Sequence, residues 1–369
     1  MRCNARVSER SLGMKGKKRS AKITAVILFT AIAVMVSGFM TVSFAAAAKN
    51  VTAYTYQPYT YVHTKASNSS ASPKLPVPYK AKVTLYGKTG KAKESGWVKI
   101  KYSGNTYYTY VKKGEKAFVK SKINYKKYKN IATTLKQKAV TKAISILRNK
   151  KTTYSHATPG SLKNGKMQFD CSGFVSYVME GVLGKKIKNI DIPGNIDDLY
   201  SMSWVYTDAN GKVSVKTVCS GKPKFSKLQP GDLLFFKEDS SSKKAYDHVG
   251  IYIGNKEFIN STKFTDGVSI MPLSYGKYKT RFVCAKRILP DTAPKPINKV
   301  VTLSGSASVY PVTDLKFKNK QDSLKAGAKV TVLYETPLSW TDSYHCVYVK
   351  YTDANGNAKY GFMSSSKVK

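Results

Sequence analysis

The chain has 369 residues, which is enough for two or three domains of ordinary size. Hydrophobic residues make up 42% of it, a fraction that excludes a chain disordered throughout. The 63 Lys and Arg against 21 Asp and Glu give a formal net charge of +42, and a field of that sign attracts polyanions. Nucleic acid is not favoured as the polyanion, because the lysines are spread along the whole chain and no nucleic-acid-binding motif accompanies them. A generally solvated basic surface is the alternative.

The first residues have the pattern of a targeting segment. Residues 1–22 carry eight basic side chains and one acid, residues 23–48 carry no charge, and the uncharged run ends in small residues. This order predicts a secretory signal over residues 1–48 and therefore a secreted protein. An uncleaved membrane anchor is the alternative, because the uncharged run is long enough to span a bilayer.

Five cysteines are widely spaced along the chain, and Cys3 lies in the predicted signal. An exported chain can pair the others, but the sequence leaves their pairing open. No C-x-x-C pair is present, so the pattern of a structural zinc site is missing. The remaining cysteines are Cys171, Cys219, Cys284 and Cys346.

Residues 49–122 and 291–369 share a β-rich pattern. The stretches that begin at Ala81 and Ala328 both open with A-K-V-T, and both contain a V-x-[IV]-K-Y strand followed by a Gly-Asn pair. Alternation of apolar and polar residues in these strands indicates half-buried sheet. We therefore predict one small β-domain at each end of the chain, the second after a proline-bearing linker that begins at Asp291.

Residues 123–290 lie between these two segments, and their pattern predicts helices first and strands afterwards. Apolar spacing predicts a helix over 131–150, followed by a loop, and a second helix that begins near Cys171. A polar segment from about Lys185 to Ser226 is predicted to be irregular. The strands "GDLLFF", "HVGIYIG", "EFINST" and "RFVCAKRIL" follow. This order predicts an α+β domain with an antiparallel sheet.

Cys171, in "FDCSGF", has the surroundings of a nucleophile. Asp170 is a good N-cap residue, so Cys171 is expected in the first turn of the following helix. The helix dipole and the unpaired backbone N–H groups there favour a thiolate and can stabilise an oxyanion. Ser172 and Gly173 are small enough to let a substrate approach.

A thiolate nucleophile requires a base, and the chain has only four histidines. His248 opens an apolar strand, where its ring can be held rigidly. The chain returns in "FINST", which brings Asn260 roughly opposite His248 and within reach of its second ring nitrogen. A nucleophile, a base and a third polar group that orients the base together form the pattern of a catalytic triad.

Four motifs, "FDCSGF", "LQPGDLLFF", "HVGIYIG" and "FIN", occur in this order between Tyr154 and Arg287. Together they resemble the NlpC family of bacterial cell-wall cysteine peptidases. The resemblance implies a papain-like core, with the nucleophile on a helix packed against an antiparallel sheet. It also implies that Cys171 is the nucleophile, His248 the general base and acid, and Asn260 the third residue. Tyr154 would line the cleft, and Asp170 and Ser172 would hold the free amine of the substrate.

The terminal segments resemble bacterial Src-homology-3-like small β-barrels. The combined resemblance implies a secreted hydrolase that cleaves peptidoglycan stem peptides between γ-D-glutamate and a diamino acid through a thioester. The resemblance implies that peptidoglycan stem peptides bind to the protein, and anionic wall polymers are a further possible partner. It implies no metal or organic cofactor. The oligomeric state stays open. The alternatives are an N-acetylmuramoyl-L-alanine amidase of similar fold and a non-catalytic wall-binding protein. The second of these is suggested by "SHATPG", which replaces the pattern usual in the family after Tyr154.

Overall fold

The computed structural model describes residues 50–368 apart from gaps at 57–58, 68–74, 79, 87–89, 114–115, 121–133, 150, 157–158, 239–240, 274–276, 313–319 and 338–344. The predicted signal, residues 1–48, lies outside the described residues. No helix within the described ranges is both long enough and apolar enough to cross a membrane.

The N-terminal part of the described chain is β-sheet. Strands β5-β8-β1-β4-β6-β7 form one sheet in that order, and β2 pairs with β3. An isolated bridge between His63 and Tyr108 connects the two sheets. The strands are β1 Val51–Thr55, β2 Tyr59–Val62, β3 Leu75–Pro78, β4 Lys82–Leu85, β5 Gly90–Lys91, β6 Gly96–Tyr102, β7 Asn105–Val111 and β8 Lys116–Val119.

The central part contains the longer helices and a six-stranded antiparallel sheet in the order β14-β19-β15-β16-β17-β18. Its elements are α1 Thr134–Asn149, β9 Thr152–Tyr154, β10 Pro159–Lys163, β11 Lys166–Phe169, α2 Cys171–Leu183, α3 Ile196–Ser201, β12 Trp204–Asp208, β13 Gly211–Ser214, β14 Lys216–Ser220, β15 Leu233–Phe236, β16 His248–Gly254, β17 Glu257–Thr262, a 3₁₀ turn Lys263–Thr265, β18 Gly267–Pro272, α4 Lys277–Thr280 and β19 Phe282–Arg287.

Helix α2 packs against β16 and β17, and this contact forms the main core. The helix is apolar almost all round: ten of its 13 residues are buried, which is the pattern of a helix covered on several sides. Strands β15, β16 and β17 are buried along nearly their whole length. The predicted α+β core, a helix bearing Cys171 on an antiparallel sheet, is therefore confirmed.

Two local predictions for this region are wrong. The expected loop between the first two helices contains a three-stranded sheet, β10-β11-β9. The polar segment predicted to be irregular contains α3 and the strands β12 to β14. Strand β12 forms a local hairpin with β13 and pairs on its other side with a strand more than a hundred residues away, Thr207 opposite Glu335. A local pattern carries no signal of the distant partner.

The C-terminal part joins the central part through this pairing. A sheet in the order β13-β12-β23-β24-β25 includes strands from both, and β20 pairs with β23. Asp208 strengthens the join, because its Oδ2 accepts the Lys295 backbone N–H at 3.0 Å. The elements are β20 Lys299–Thr302, β21 Ala307–Val309, β22 Asp322–Leu324, β23 Lys329–Pro337, β24 His345–Thr352, β25 Ala358–Ser364 and a 3₁₀ turn Ser365–Lys367.

An ion pair connects the N-terminal strands to the central sheet. Lys80 Nζ lies 2.6 Å from Glu257 Oε1, at the start of β17, and both side chains are largely buried. Breaking a buried pair by removing one partner leaves an uncompensated charge, so this contact holds the N-terminal strands against the sheet. Strand β17 also carries Asn260.

Candidate active site

Cys171 is the first residue of α2, and the cap of this helix is built by the residues beside it. Asp170 has extended backbone, and its Oδ1 accepts the Gly173 backbone N–H at 2.6 Å and the Ser172 hydroxyl at 3.2 Å. This geometry is that of an N-cap residue. It places Cys171 at the positive end of the helix dipole, beside the backbone N–H groups of the first turn.

His248 is the first residue of β16, and it is held by rings on one side of the sheet. It is paired across the strands with Phe236, whose ring centroid lies 6.2 Å from that of the imidazole. The buried ring of Tyr278 lies 6.3 Å away and packs against Phe236 and Phe258. The side chain of His248 is only 5% exposed, so this packing restricts the rotation of the ring.

Asn260 lies in the adjacent strand β17 and contacts the imidazole directly. Its Oδ1 is 3.0 Å from His248 Nε2, and its Nδ2 donates to the Ser269 carbonyl at 3.3 Å. The second bond orients the carboxamide, so its oxygen faces the ring. Because an amide oxygen can only accept, Nε2 carries the proton, and Nδ1 is the basic nitrogen of the neutral ring.

The same strand also positions the start of α2. Ser261 Oγ donates to the Phe169 carbonyl at 3.0 Å, two residues before Cys171. Neighbouring residues of β17 therefore contact the imidazole and the segment that leads into α2. Cys171 lies close enough to His248 to contribute to the raised pKa of the imidazole. This arrangement can transfer a proton from a thiol to an imidazole oriented by a third residue.

Tyr154 borders the same space at the end of β9. Burial raises the pKa of its phenol, and the charges of Cys171, Asp170 and Glu238 raise it further, so Tyr154 remains protonated and can donate a hydrogen bond. Strand β9 is attached to the central sheet by Asp266, whose Oδ1 accepts the Tyr154 backbone N–H at 3.0 Å. Asp266 has a left-handed backbone, with φ of 48°.

Glu238 is a site residue that the sequence analysis missed. It lies two residues beyond β15, and its Oε2 is 3.9 Å from His248 Nδ1. A signal was present in the sequence, since "LLFFKE" puts an acid just after the strand that pairs with the histidine strand. This acid can be assigned to the site only when the pairing of Phe236 with His248 is known.

The surroundings of His248 favour its charged form. Burial lowers the pKa of the imidazole, but the charge of Glu238 and the contacts with Cys171 and Asn260 outweigh this and raise the pKa to about 9. An imidazolium beside a thiol is the arrangement that supports a thiolate–imidazolium pair.

The structure brings together five of the six residues singled out from the sequence, namely Cys171, His248, Asn260, Tyr154 and Asp170. The sixth, Ser172, is buried, and its hydroxyl is used in the cap. His156 is exposed and packs its ring against Tyr154, with centroids 5.3 Å apart. The four cysteines in the described residues, Cys171 included, are buried, and none forms a disulfide.

Residues 151–287 match the family model of the NlpC/P60 family. These residues form an NlpC/P60 domain. The family resemblance predicted from the motifs is therefore confirmed, and the domain is of a cysteine-peptidase family.

Two curated proteins have sequences similar to part of this chain. Over 121 residues the chain is 31% identical to the murein DD-endopeptidase MepH of Escherichia coli strain K12, covering 33% of this chain and 36% of that protein. Over 122 residues it is 32% identical to a gamma-D-glutamyl-L-lysine dipeptidyl-peptidase of Bacillus cereus strain ATCC 10987, covering 33% of this chain and 29% of that protein. The chain thus spans about a third of the length of these relatives.

Among solved structures, an NlpC/P60 family protein from Bacillus cereus ATCC 10987 aligns with 68% of this chain and 67% of its own, at 21% identity and a TM-score of 0.25. A score of that size gives no support to a shared arrangement outside the domain.

Proposed function

We propose that the protein is a secreted peptidoglycan hydrolase that cleaves stem peptides between γ-D-glutamate and a diamino acid. The observation that carries this proposal is the grouping of Cys171, His248 and Asn260, with Asn260 Oδ1 3.0 Å from His248 Nε2 and Cys171 close enough to the imidazole to raise its pKa. The family of the domain and the cell-wall endopeptidases among its relatives support the substrate class.

In the proposed reaction His248 Nδ1 takes the thiol proton, and the thiolate attacks the amide carbonyl. Backbone N–H groups at the start of α2 stabilise the oxyanion. The tetrahedral intermediate collapses to a thioester, and the imidazolium gives its proton to the departing amine. A water molecule, deprotonated by His248, then releases the carboxylate product and restores the thiol.

The proposed roles of Tyr154, Asp170 and Ser172 are to line the cleft and to hold the free amine of the stem peptide. Asp170 also caps α2 through its Oδ1. Because a carboxylate has about four lone-pair directions, capping and amine binding are compatible in one residue. A negative Asp170 beside the cleft favours a cationic group of the substrate.

The segments that flank the NlpC/P60 domain would keep the enzyme on the wall. We assign residues 49–122 and 291–369 to Src-homology-3-like barrels that bind wall peptide or glycan, and residues 1–48 to the signal. Without residues 1–48 the chain keeps 55 basic and 20 acidic residues, and this net charge of +35 favours additional contacts with anionic wall polymers. Several weak contacts of this kind raise residence on the wall by avidity.

The central test replaces Cys171 by alanine. We expect hydrolysis of purified peptidoglycan to fall by at least about a thousandfold, because the nucleophile is lost, while binding to wall sacculi persists. Cys219→Ala is the matched control, since Cys219 is also a buried, unpaired cysteine. Hydrolysis that survives in the Cys171 variant would remove Cys171 as the nucleophile.

The bond that is cut is identified from the products. Digestion of purified muropeptides followed by mass spectrometry is expected to show a new amine on the diamino acid. A free lactyl carboxylate on muramic acid would indicate the amidase instead, and cleavage of a crosslink would indicate a DD-endopeptidase. No hydrolysis by the unaltered protein, with sacculus binding intact, would indicate a non-catalytic wall-binding protein.

A further inference from the structure

Glu238 is fixed beside the candidate active site by its main chain. Its backbone N–H donates to Asp247 Oδ1 at 2.5 Å, and its carbonyl accepts from the Arg281 guanidinium. The strand register places this residue next to the start of β16, because Phe236 is paired with His248. The carboxylate is thus held near the imidazole by contacts that do not involve the carboxylate itself.

The position of the carboxylate relative to the two ring nitrogens determines what it can do. Asn260 occupies Nε2, so Nδ1 is the nitrogen that gains the proton, and Glu238 Oε2 lies 3.9 Å from that atom. This separation is too long for a hydrogen bond but well within the range of a strong charge interaction. The Nδ1 proton therefore stays directed at the thiol or the leaving group.

Asn260, the third residue of the proposed triad, does not compensate the positive charge of the His248 imidazolium. A carboxamide such as that of Asn260 orients the ring but brings no negative charge to the imidazolium that forms during the reaction. The side chains of His248 and Glu238 are 5% and 16% exposed, so solvent screens their interaction only weakly.

We infer that Glu238 is a positioning residue that supplies the negative charge Asn260 lacks, and that it stabilises the His248 imidazolium without accepting its proton. This inference rests on the proposed function for its catalytic meaning. The raised pKa of His248 agrees with it, since Glu238 is the strongest of the influences that oppose the effect of burial. Among the described residues, the other polar or titratable groups around the ring are Cys171 from α2, Asn260 from β17, the Tyr278 phenol from α4 and Asp247, which directly precedes β16.

The test is an NMR titration of the His248 ring in the full chain. Cys171→Ala serves as the background, because it removes the coupled titration of the thiol. The chain has only four histidines, and His248→Asn identifies the signal. We expect Glu238→Gln to lower the pKa of His248 by about 1 to 3 pH units, whereas Glu238→Asp retains most of the elevation.

Two controls separate this role from a structural one. Glu238→Gln keeps every main-chain contact of the residue, so its fold is expected to be unchanged. Glu94→Gln removes an exposed negative charge from the loop between β5 and β6. An unchanged pKa of His248 in Glu238→Gln would overturn the inference. So would an equal shift in Glu94→Gln.

With Cys171 present, the pH profile of kcat/KM gives a second readout. Loss of Glu238 is expected to move the alkaline limb to lower pH by a similar amount, because the imidazolium is lost earlier as the pH rises. An unmoved alkaline limb in an active Glu238→Gln enzyme would overturn the inference but not the proposed function. A titration that shifts as expected in a protein without hydrolytic activity would overturn the proposed function and leave the charge partner of His248 established.

Discussion

Replacing Gly250 by alanine is expected to disturb the contact between Asn260 and His248. Gly250 lies in β16, two residues after His248, against the adjacent strand β17. A Cβ at this position would lie 2.7 Å from Phe258 Cδ2, 3.0 Å from the Ile259 carbonyl oxygen and 3.1 Å from Asn260 Cβ. The glycine is therefore required by close packing between the strands.

The cost follows from these distances. Carbon atoms attract each other best at about 3.5–4.0 Å, so the new methyl group is too close to two carbon atoms. The third neighbour is a backbone oxygen in a paired strand, and it cannot move without disturbing the sheet. Overpacking of this kind costs about 1–3 kcal/mol. If Asn260 moves away from His248, a loss of about 1–3 kcal/mol of transition-state stabilisation corresponds to a roughly 5- to 150-fold fall in kcat/KM.

Urea denaturation measures the first effect, and steady-state hydrolysis of a purified muropeptide measures the second. Gly194→Ala is the matched control, because a Cβ there meets no atom within 4 Å. Its free energy of unfolding is expected to stay within about 0.5 kcal/mol of that of the unaltered protein. A Gly250→Ala variant with unchanged urea midpoint and unchanged kcat/KM would refute the reasoning from the β16–β17 packing.

Two further predictions concern buried carboxylates. Burial raises the pKa of Glu180 from its ordinary value of 4.5 to about 7, so the stability this group contributes is present below pH 4.5 and is lost as the pH rises through 7. Glu180→Gln is therefore expected to be more stable than the unaltered protein by about 1–2 kcal/mol at pH 8, and equal to it below pH 4.5, in thermal denaturation. Asp232 is fully buried and bonds to Arg287 at 2.8 and 3.0 Å, so Asp232→Asn is expected to cost about 3–5 kcal/mol in urea denaturation.

Exposed carboxylates provide the controls for both. Glu94→Gln removes an exposed carboxylate, and a gain in stability at pH 8 equal to that of Glu180→Gln would contradict the burial argument. Asp197 forms an exposed ion pair with Lys244 at 2.6 Å, and Asp197→Asn is expected to cost no more than about 1 kcal/mol. An Asp232→Asn variant no less stable than Asp197→Asn would show that burial does not strengthen the Arg287 contact.

Several parts of the molecule follow from local sequence patterns. An N-cap acid followed by an apolar helical repeat predicts the start of α2, where Cys171 is the first helical residue. The unbroken apolar run after His248 predicts the buried strand β16, and the chain reversal before "FINST" brings Asn260 near the ring. These features depend on residues close together in the chain, so periodicity and capping carry enough information.

Other parts depend on contacts between distant residues. Glu238 acquires its place beside Nδ1 only because β15 and β16 pair in one register, and Asp266 reaches β9 across more than a hundred residues. Strand β12 pairs on one side with β23, which lies more than a hundred residues further along the chain.

The sequence by itself thus determined the candidates for the nucleophile, the base and the residue that orients the base, because each is marked by its own short motif. Only the tertiary structure decided which carboxylate faces the imidazole and which strands join the central and C-terminal parts. The physical reason is that strand register and charge proximity are properties of segments far apart in the chain, and no local propensity encodes them.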